Sequence, residues 1–322
     1  MMRRALVTGA AGFIGSHQCR RLVADGFDVV GFDDLSDGKI ENLEDVPEVR
    51  LIEADLRDEA AVLDAARGCD IVIHLGAKRS VPRSMEQPGI TTDVNVRGTL
   101  NVLLAARESG SVVVAASSSS VYGDQTEFPL RESMRLRPRS PYAASKLADE
   151  IYCAGLWASF GIPAVCLRYF NVYGPRQDPQ SEYAAVVPRF AVACLTGERP
   201  VIHGDGEQSR DFTYIDDVTD ANLRAGAAPE SAYGEAFNVG GGGKPVSVNR
   251  LLGLIAAEVG VTPDPVFEPT RAGDVRTTEA DVSAAREAFG YEPSVDIEEG
   301  VRRTVTWFRD NPVGEHVPAK RA

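Results

Sequence analysis

Arg4-Ala5-Leu6-Val7-Thr8-Gly9-Ala10-Ala11-Gly12-Phe13-Ile14-Gly15 is a short apolar run that breaks into spaced glycines and then opens an amphipathic stretch reaching Ala24. The run Arg4–Thr8 reads as a strand and Gly15–Ala24 as a helix. Between them, Gly9, Gly12 and Gly15 let the backbone turn tightly and approach a pyrophosphate, which would rest on the positive end of the helix. The spacing is Gly-x-x-Gly-x-x-Gly, one residue wider than the common Gly-x-Gly-x-x-Gly, and a glycine triplet alone reads as well as a plain turn. Its place between strand and helix favours the dinucleotide reading. So does Asp33, which closes the second strand about 20 residues on, where a carboxylate accepts from an adenosine ribose hydroxyl. A carboxylate there would repel a ribose 2′-phosphate, so the expected cofactor is NAD rather than NADP.

Working outward, Asp28–Phe32, Arg50–Glu53, Ile71–Leu75, Val112–Ser117 and Ala164–Tyr169 are further strand-like runs. Glu59–Arg67, Val96–Glu108 and Tyr142–Phe160 lie between them as helices. This alternation predicts an α/β fold, a Rossmann-type doubly wound parallel sheet covered on both faces. Beyond Asn171 the texture changes to turn chemistry, with Gly174-Pro175-Arg176, Asp178-Pro179 and Gly204-Asp205-Gly206. A smaller C-terminal α/β substrate lobe is expected there. The NAD-binding domain is assigned to 1–170 plus roughly 212–240, and the substrate lobe to roughly 171–211 and 241–322. Gly240–Gly243 reads as a tight turn, because no Lys-Ser/Thr follows at phosphate-loop spacing.

Composition narrows the function classes. The chain has 322 residues and a net charge of −13, which argues against nucleic acid or an anionic membrane as the main partner. An anionic ligand must be held by local groups. Cys19, Cys69, Cys153, Cys166 and Cys194 are scattered, so free thiols and no metal site are expected. No export core follows Met1-Met2-Arg3-Arg4 and no run reaches the roughly 18–20 apolar residues of a membrane span. A cytoplasmic location is expected.

Ser140-Pro141-Tyr142-Ala143-Ala144-Ser145-Lys146 reads as a helix start, with Ser140 as N-cap and Pro141 in the first turn. Tyr142 and Lys146 then share one face, a turn apart. A free phenol titrates near about pH 10, so a phenolate needs help, and an ammonium one turn away at the positive end of a helix supplies it. The alternative is an interfacial aromatic beside a solvated charge. Upstream, Val112–Ala116 runs into Ser117-Ser118-Ser119-Ser120. Hydroxyls beyond the carboxyl end of a parallel strand suit the handling of a substrate oxygen, although a polar turn has the same composition.

Together these motifs resemble the extended short-chain dehydrogenase/reductases, specifically the nucleotide-sugar 4-epimerase and dehydratase group. The resemblance rests on Thr8–Gly15, Asp33-Asp34-Leu35, Asp55-Leu56, His74-Leu75-Gly76-Ala77, Asn95-x-x-Gly98-Thr99, Ser117–Gly123, Tyr142 with Lys146, Leu167–Gly174, Arg210-Asp211-Phe212 and Arg271 with Gly273-Asp274. Gly76 departs from the alanine usual in the group, which is expected to matter little. The resemblance implies that Tyr142 is the general base, that Lys146 binds the nicotinamide ribose and tunes Tyr142, and that Ser118 bonds the reacting sugar oxygen. It implies cofactor contacts at Gly9, Gly12, Phe13, Ile14, Gly15, Asp33, Asp34, Asp55 and Leu56. On the substrate side it implies Asn171 and Arg210 on the diphosphate, Arg271 and Asp274 on the diphosphate and uridine ribose, His203 near the uracil, Thr278 beside the sugar, and Val187 as a further substrate contact.

The implied reaction is transient oxidation of a UDP-sugar at C4, rotation of the 4-keto sugar, and return of the hydride to the other face, with NAD regenerated. Dehydratases of the group carry Asp and Glu where this chain has Ser119 and Ser120, so elimination lacks its acid and base. A UDP-glucuronate 4-epimerase, a dehydratase and a non-catalytic NAD-sensing module remain as alternatives. Thr278, two residues before Ala280-Asp281, stands where a large aromatic would exclude a 2-acetamido group, and Gly174–Pro188 resembles epimerases that accept UDP-N-acetylhexosamines. Interconversion of UDP-GlcNAc and UDP-GalNAc, and of UDP-Glc and UDP-Gal, is the expected activity. A homodimer through Val96–Glu108 and Tyr142–Phe160 is expected from the resemblance.

Overall fold

The computed structural model describes residues 2–180, 185–270 and 275–312. The first half runs β1 (Arg4–Thr8), α1 (Phe13–Ala24), β2 (Asp28–Asp33), β3 (Arg50–Glu53), α2 (Glu59–Ala66), β4 (Ile71–His74), α3 (Val81–Glu86), α4 (Pro88–Thr92), α5 (Gly98–Ser109), β5 (Val112–Ser118), α6 (Pro141–Phe160) and β6 (Ala164–Tyr169). Then come β7 (Val172–Tyr173), α7 (Val186–Thr196), β8 (Val201–His203), β9 (Ser209–Arg210), β10 (Thr213–Tyr214), α8 (Ile215–Gly226), β11 (Ala236–Val239), β12 (Val246–Ser247), α9 (Val248–Val259), β13 (Val266–Glu268), α10 (Ser283–Phe289) and α11 (Ile297–Asp310).

Seven strands form one parallel sheet in the order β11-β6-β5-β4-β1-β2-β3. From β1 the chain goes first to β2 on one side and later to β4 on the other. Loops diverge at that reversal of order and leave a crevice beyond the strand ends. Side chains alternate across the sheet. Ala5 and Val7 pack with Leu22 of α1 and Ala221 of α8, while Leu6 packs with Val62 of α2, Leu103 of α5 and Cys153 of α6. Both faces are therefore covered, which is why the strands read as nearly unbroken apolar runs.

The smaller elements pair in twos: β7 with β10 and β8 with β13 in parallel, β9 with β12 antiparallel. The five cysteines are buried and unpaired. No helix among the described residues is long and apolar enough to cross a membrane.

Two local features place the site. Ser140 caps α6, its Oγ accepting from Ala143 N at 3.1 Å. Pro141 follows in the first turn, and Gly161 ends the helix in the left-handed conformation at φ 66°. The approach to α5 is a π turn over Asp93–Arg97, so the expected Val96 start is displaced. That turn buries Asn95, whose Oδ1 accepts from Lys78 N at 2.7 Å and whose Nδ2 donates to Ser145 Oγ at 2.9 Å. Asn95 thereby ties the loop after β4 to the first turns of α6.

Candidate active site

The carboxyl ends of the central strands open on a cleft of about 470 Å³. Gly9, Gly12, Phe13, Ile14, Gly15, Asp33, Asp34, Leu56, Ser118, Tyr142, Lys146 and Asn171 all line it. The glycine loop is required by close approach. A Cβ on Gly15 would sit 1.9 Å from Gly9 O, and Gly9 itself has φ 67°. Gly12 begins α1 without a side-chain cap, which suits a helix start whose N–H groups serve a phosphate. Asp33 is buried at the end of β2, its two oxygens accepting from Ala11 N and Leu35 N at 2.9 Å each. Burial raises its pKa, and those two N–H bonds oppose the rise. The loop, the open helix start and the ribose-side carboxylate together fit a dinucleotide.

Leu56 lines the cleft, but Asp55 does not. The Asp55 carboxylate turns to Arg57, with Nη2 to Oδ2 at 2.6 Å. Gly76 accommodates Leu56: a Cβ there would lie 2.8 Å from Leu56 Cδ1. The glycine in place of the usual alanine thus has a packing partner.

Opposite the glycine loop, β5 delivers Ser118 as the cap of a single 3-10 turn. Ser118 Oγ accepts from Ser120 N at 3.2 Å and from Ser120 Oγ at 2.9 Å. With both lone pairs engaged, its own proton is left to donate. Tyr142 enters from the first turn of α6, where its N–H donates to Ser84 Oγ at 3.2 Å. Lys146 is fully buried one turn on, with Nζ 3.0 Å from Asp149 Oδ2. Burial would lower the lysine pKa, but the charges of Asp149 and Tyr142 outweigh it and the net direction is up.

A second cavity of about 270 Å³ is lined by Val187, His203, Arg210, Phe212 and Arg189, and shares Asn171 and Val172 with the first. Thr278 lines neither. Its Oγ1 accepts from Asn171 Nδ2 at 3.0 Å and from Asp211 N at 3.3 Å. It therefore stands behind Asn171. Arg271, Asp274 and the stretch Ser181–Ala184 lie outside the described residues.

Several lining residues escaped the sequence reading. Lys78 reaches Asp37 at 3.1 Å beside Asp34. Lys39 pairs with Asp178 at 3.0 Å across the lining, and Arg176 pairs at 2.7 Å with Asp45, which lies outside it. Trp307 and Phe308 come from the distant α11. Gly174-Pro175-Arg176 was legible as a turn, but nothing in the sequence pointed to its ion pair or to α11.

Comparison with known proteins agrees with this geometry. A UDP-glucose 4-epimerase of Mycolicibacterium smegmatis is 43% identical over 313 residues, covering 95% of this chain and 99% of that one. A UDP-N-acetylglucosamine 4-epimerase from Methanobrevibacter ruminantium, solved with UDP-N-acetylmuramic acid, superposes with a TM-score of 0.91 at 39% identity, over 96% of this chain and 99% of that one. A Thermus thermophilus UDP-glucose 4-epimerase solved with NAD gives 0.86 at 38% identity, over 95% and 99%. Residues 5–240 match the NAD dependent epimerase/dehydratase family, and the chain, an enzyme with NAD as its cofactor, belongs to that family.

Proposed function

We propose that the protein is a UDP-sugar 4-epimerase acting on UDP-GlcNAc and UDP-GalNAc as well as on UDP-Glc and UDP-Gal. The observation that carries this reading is the meeting of Ser118, Tyr142 and Lys146 with the glycine loop in one cleft, continuous through Asn171 with a second cavity that holds Arg210 and His203. NAD, held by Gly9, Gly12, Phe13, Ile14, Gly15, Asp33, Asp34 and Leu56, supplies a reversible hydride acceptor when bound. Ser118 donates to the sugar O4 and holds it. Tyr142 Oη, held as the phenolate by the neighbouring Lys146 ammonium, takes the O4 proton to become the neutral phenol and later returns it. Arg210 holds the diphosphate, where a guanidinium fork suits two phosphate oxygens, and Asn171 lines the same passage with its amide N–H groups turned to Asp211 and Thr278. The sugar can then turn about a fixed anchor.

Ser119 and Ser120 offer no side chain that exchanges a carbon-bound proton near neutral pH, which disfavours dehydration. A catalytic reading is favoured over a sensing module because Lys146 is buried beside Tyr142, where a solvated structural lysine would not be placed. We assign residues 1–170 and roughly 212–240 to the NAD-binding domain and the remainder to the substrate lobe. A homodimer is part of the same reading. The exposed apolar side chains Ile151, Tyr152 and Phe160 lie on α6, with Met85 and Ile90 on the adjoining α3 and α4. In α5 the large apolar residues are instead buried or half-buried, because that helix packs against α2 and the sheet. The test is a panel of UDP-sugars followed by NMR for the inverted C4 proton, with Tyr142→Phe as the inactive control.

A further inference from the structure

Asp211 lies between two cavity residues, Arg210 and Phe212, yet its carboxylate turns away from the cavity. Oδ1 accepts from Gly241 N at 2.7 Å and Oδ2 from Ala280 N at 2.9 Å. Its main chain is equally engaged. Asp211 N donates to Thr278 Oγ1 at 3.3 Å, and Asp211 O accepts from Asn171 Nδ2 at 3.1 Å. One residue thus joins four chain segments, those at Asn171, at Arg210, at the glycine run and at Thr278–Ala280.

The glycine run shows how tightly this junction is drawn. A Cβ on Gly240 would stand 2.6 Å from Ala280 Cβ and 2.8 Å from Asp211 Oδ2, and one on Gly241 would stand 2.3 Å from Phe212 O. Neither glycine has positive φ. Glycine is needed at 240 and 241 so that the carboxylate and its neighbours can close on the loop, not for the turn itself. Asp211 is 3% exposed. Burial, with some help from Glu279, pushes it up to about 6 against the pull of its two N–H bonds. The group is therefore ionised at neutral pH, and both oxygens can accept.

We propose that Asp211 is a positioning residue for the nucleotide-sugar diphosphate: its carboxylate clamps the glycine run and the 278–280 segment so that Asn171 and Arg210 face the ligand in register. The proposal rests on the epimerase reading for the ligand's identity. An anion buried for this purpose puts its strength into the half of the site that holds substrate and leaves the cofactor loop untouched.

The test uses the full chain with its NAD, comparing Asp211→Asn with wild type. In that variant one backbone N–H would face an amide NH₂ instead of an oxygen. UDP affinity by calorimetry should fall about ten-fold or more. KM for UDP-glucose should rise by a similar factor, while kcat stays within about three-fold and bound NAD per chain is unchanged. Thr278→Val, which removes the acceptor shared by Asn171 and Asp211, should show the same split and serves if Asp211→Asn does not fold. Unchanged UDP affinity in a folded variant, or equal losses of kcat, NAD content and UDP affinity, would overturn the clamp. A wild type that binds UDP but turns over no UDP-sugar would refute the epimerase reading while the clamp is still read from UDP affinity. A wild type that binds no UDP overturns both.

Discussion

The Lys146 ammonium lies 3.0 Å from the Asp149 carboxylate, inside one helix and out of reach of solvent. Burial opposes the lysine charge, and Asp149 is the main group that sustains it. Asp149→Asn should therefore move the alkaline limb of the pH–rate profile to lower pH, because the ammonium loses its proton sooner. Activity near pH 9 should fall more than activity near pH 7. An alkaline limb in the same place as wild type would show that Asp149 does not set the lysine charge.

A second buried pair sits one residue further along α6. Glu150 accepts from Arg168 Nε at 2.9 Å and Nη2 at 2.8 Å, and Arg168 Nη1 also donates to Tyr122 Oη at 2.9 Å. Ser117 Oγ donates to the same Glu150 carboxylate, so the network ties α6 to β5 and β6 beneath the site. Glu150→Gln leaves a guanidinium buried without its counter-charge and should cost about 3–5 kcal/mol of stability. Urea unfolding reads this directly, and adding Arg168→Met should recover part of it.

Acid sensitivity has a local source in His74. Thr8 Oγ1 accepts from Leu75 N and Gly76 N at 3.1 Å each and lies 2.7 Å from His74 Nδ1. The hydroxyl therefore donates to an unprotonated ring nitrogen, and Nε2 donates to Thr99 Oγ1 at 3.0 Å. Burial holds the ring neutral, lowering its pKa to about 3. The unfolded chain thus binds a proton here that the fold refuses, so stability is present above pH 6.5 and is lost as pH falls. His74→Gln should be less stable at pH 7 but should lose ~3 kcal/mol less than wild type over two pH units below 6.5. An identical acid slope would remove His74 from the explanation.

In the homodimer proposed above, the exposed apolar side chain of Ile151 on α6, 63% exposed, would lie against the second copy. Ile151→Glu should convert a dimer to monomer in light scattering at micromolar concentration. A wild type that is monomeric there contradicts the homodimer.

The first half of the fold was legible because the sheet strands up to β6, the half-exposed edge strand β3 excepted, are largely buried on both faces and bounded by turn residues. The strand β11 was not, since Ala236-Phe237-Asn238-Val239 is four residues long and carries a polar residue in its middle. Asn238 is buried there because Tyr122 Oη donates to its Oδ1 at 2.7 Å and its Nδ2 donates to Leu130 O at 2.9 Å, partners more than a hundred residues away. In the site, the glycine loop, Ser118, Tyr142 and Lys146 were readable because each is local to one strand end or helix start. Thr278 and Asp55 show the limit. Sequence spacing places a residue near a site, but the direction of its side chain is set by its partners, the distant Asn171 for Thr278 and the neighbouring Arg57 for Asp55. The four-glycine run was read as a turn, and its reason lay in Asp211, some thirty residues earlier in the chain.

The central claim is that the sugar is oxidised and restored at C4 within one closed site. The most direct test is to incubate the enzyme with UDP-glucose deuterated at C4 in ordinary water and follow both epimers by NMR and mass. The account predicts UDP-galactose that retains the deuterium on C4, no exchange at C5, and no net consumption of NAD. Loss of the label to solvent, or no C4 epimer from any UDP-sugar in the panel, would contradict it.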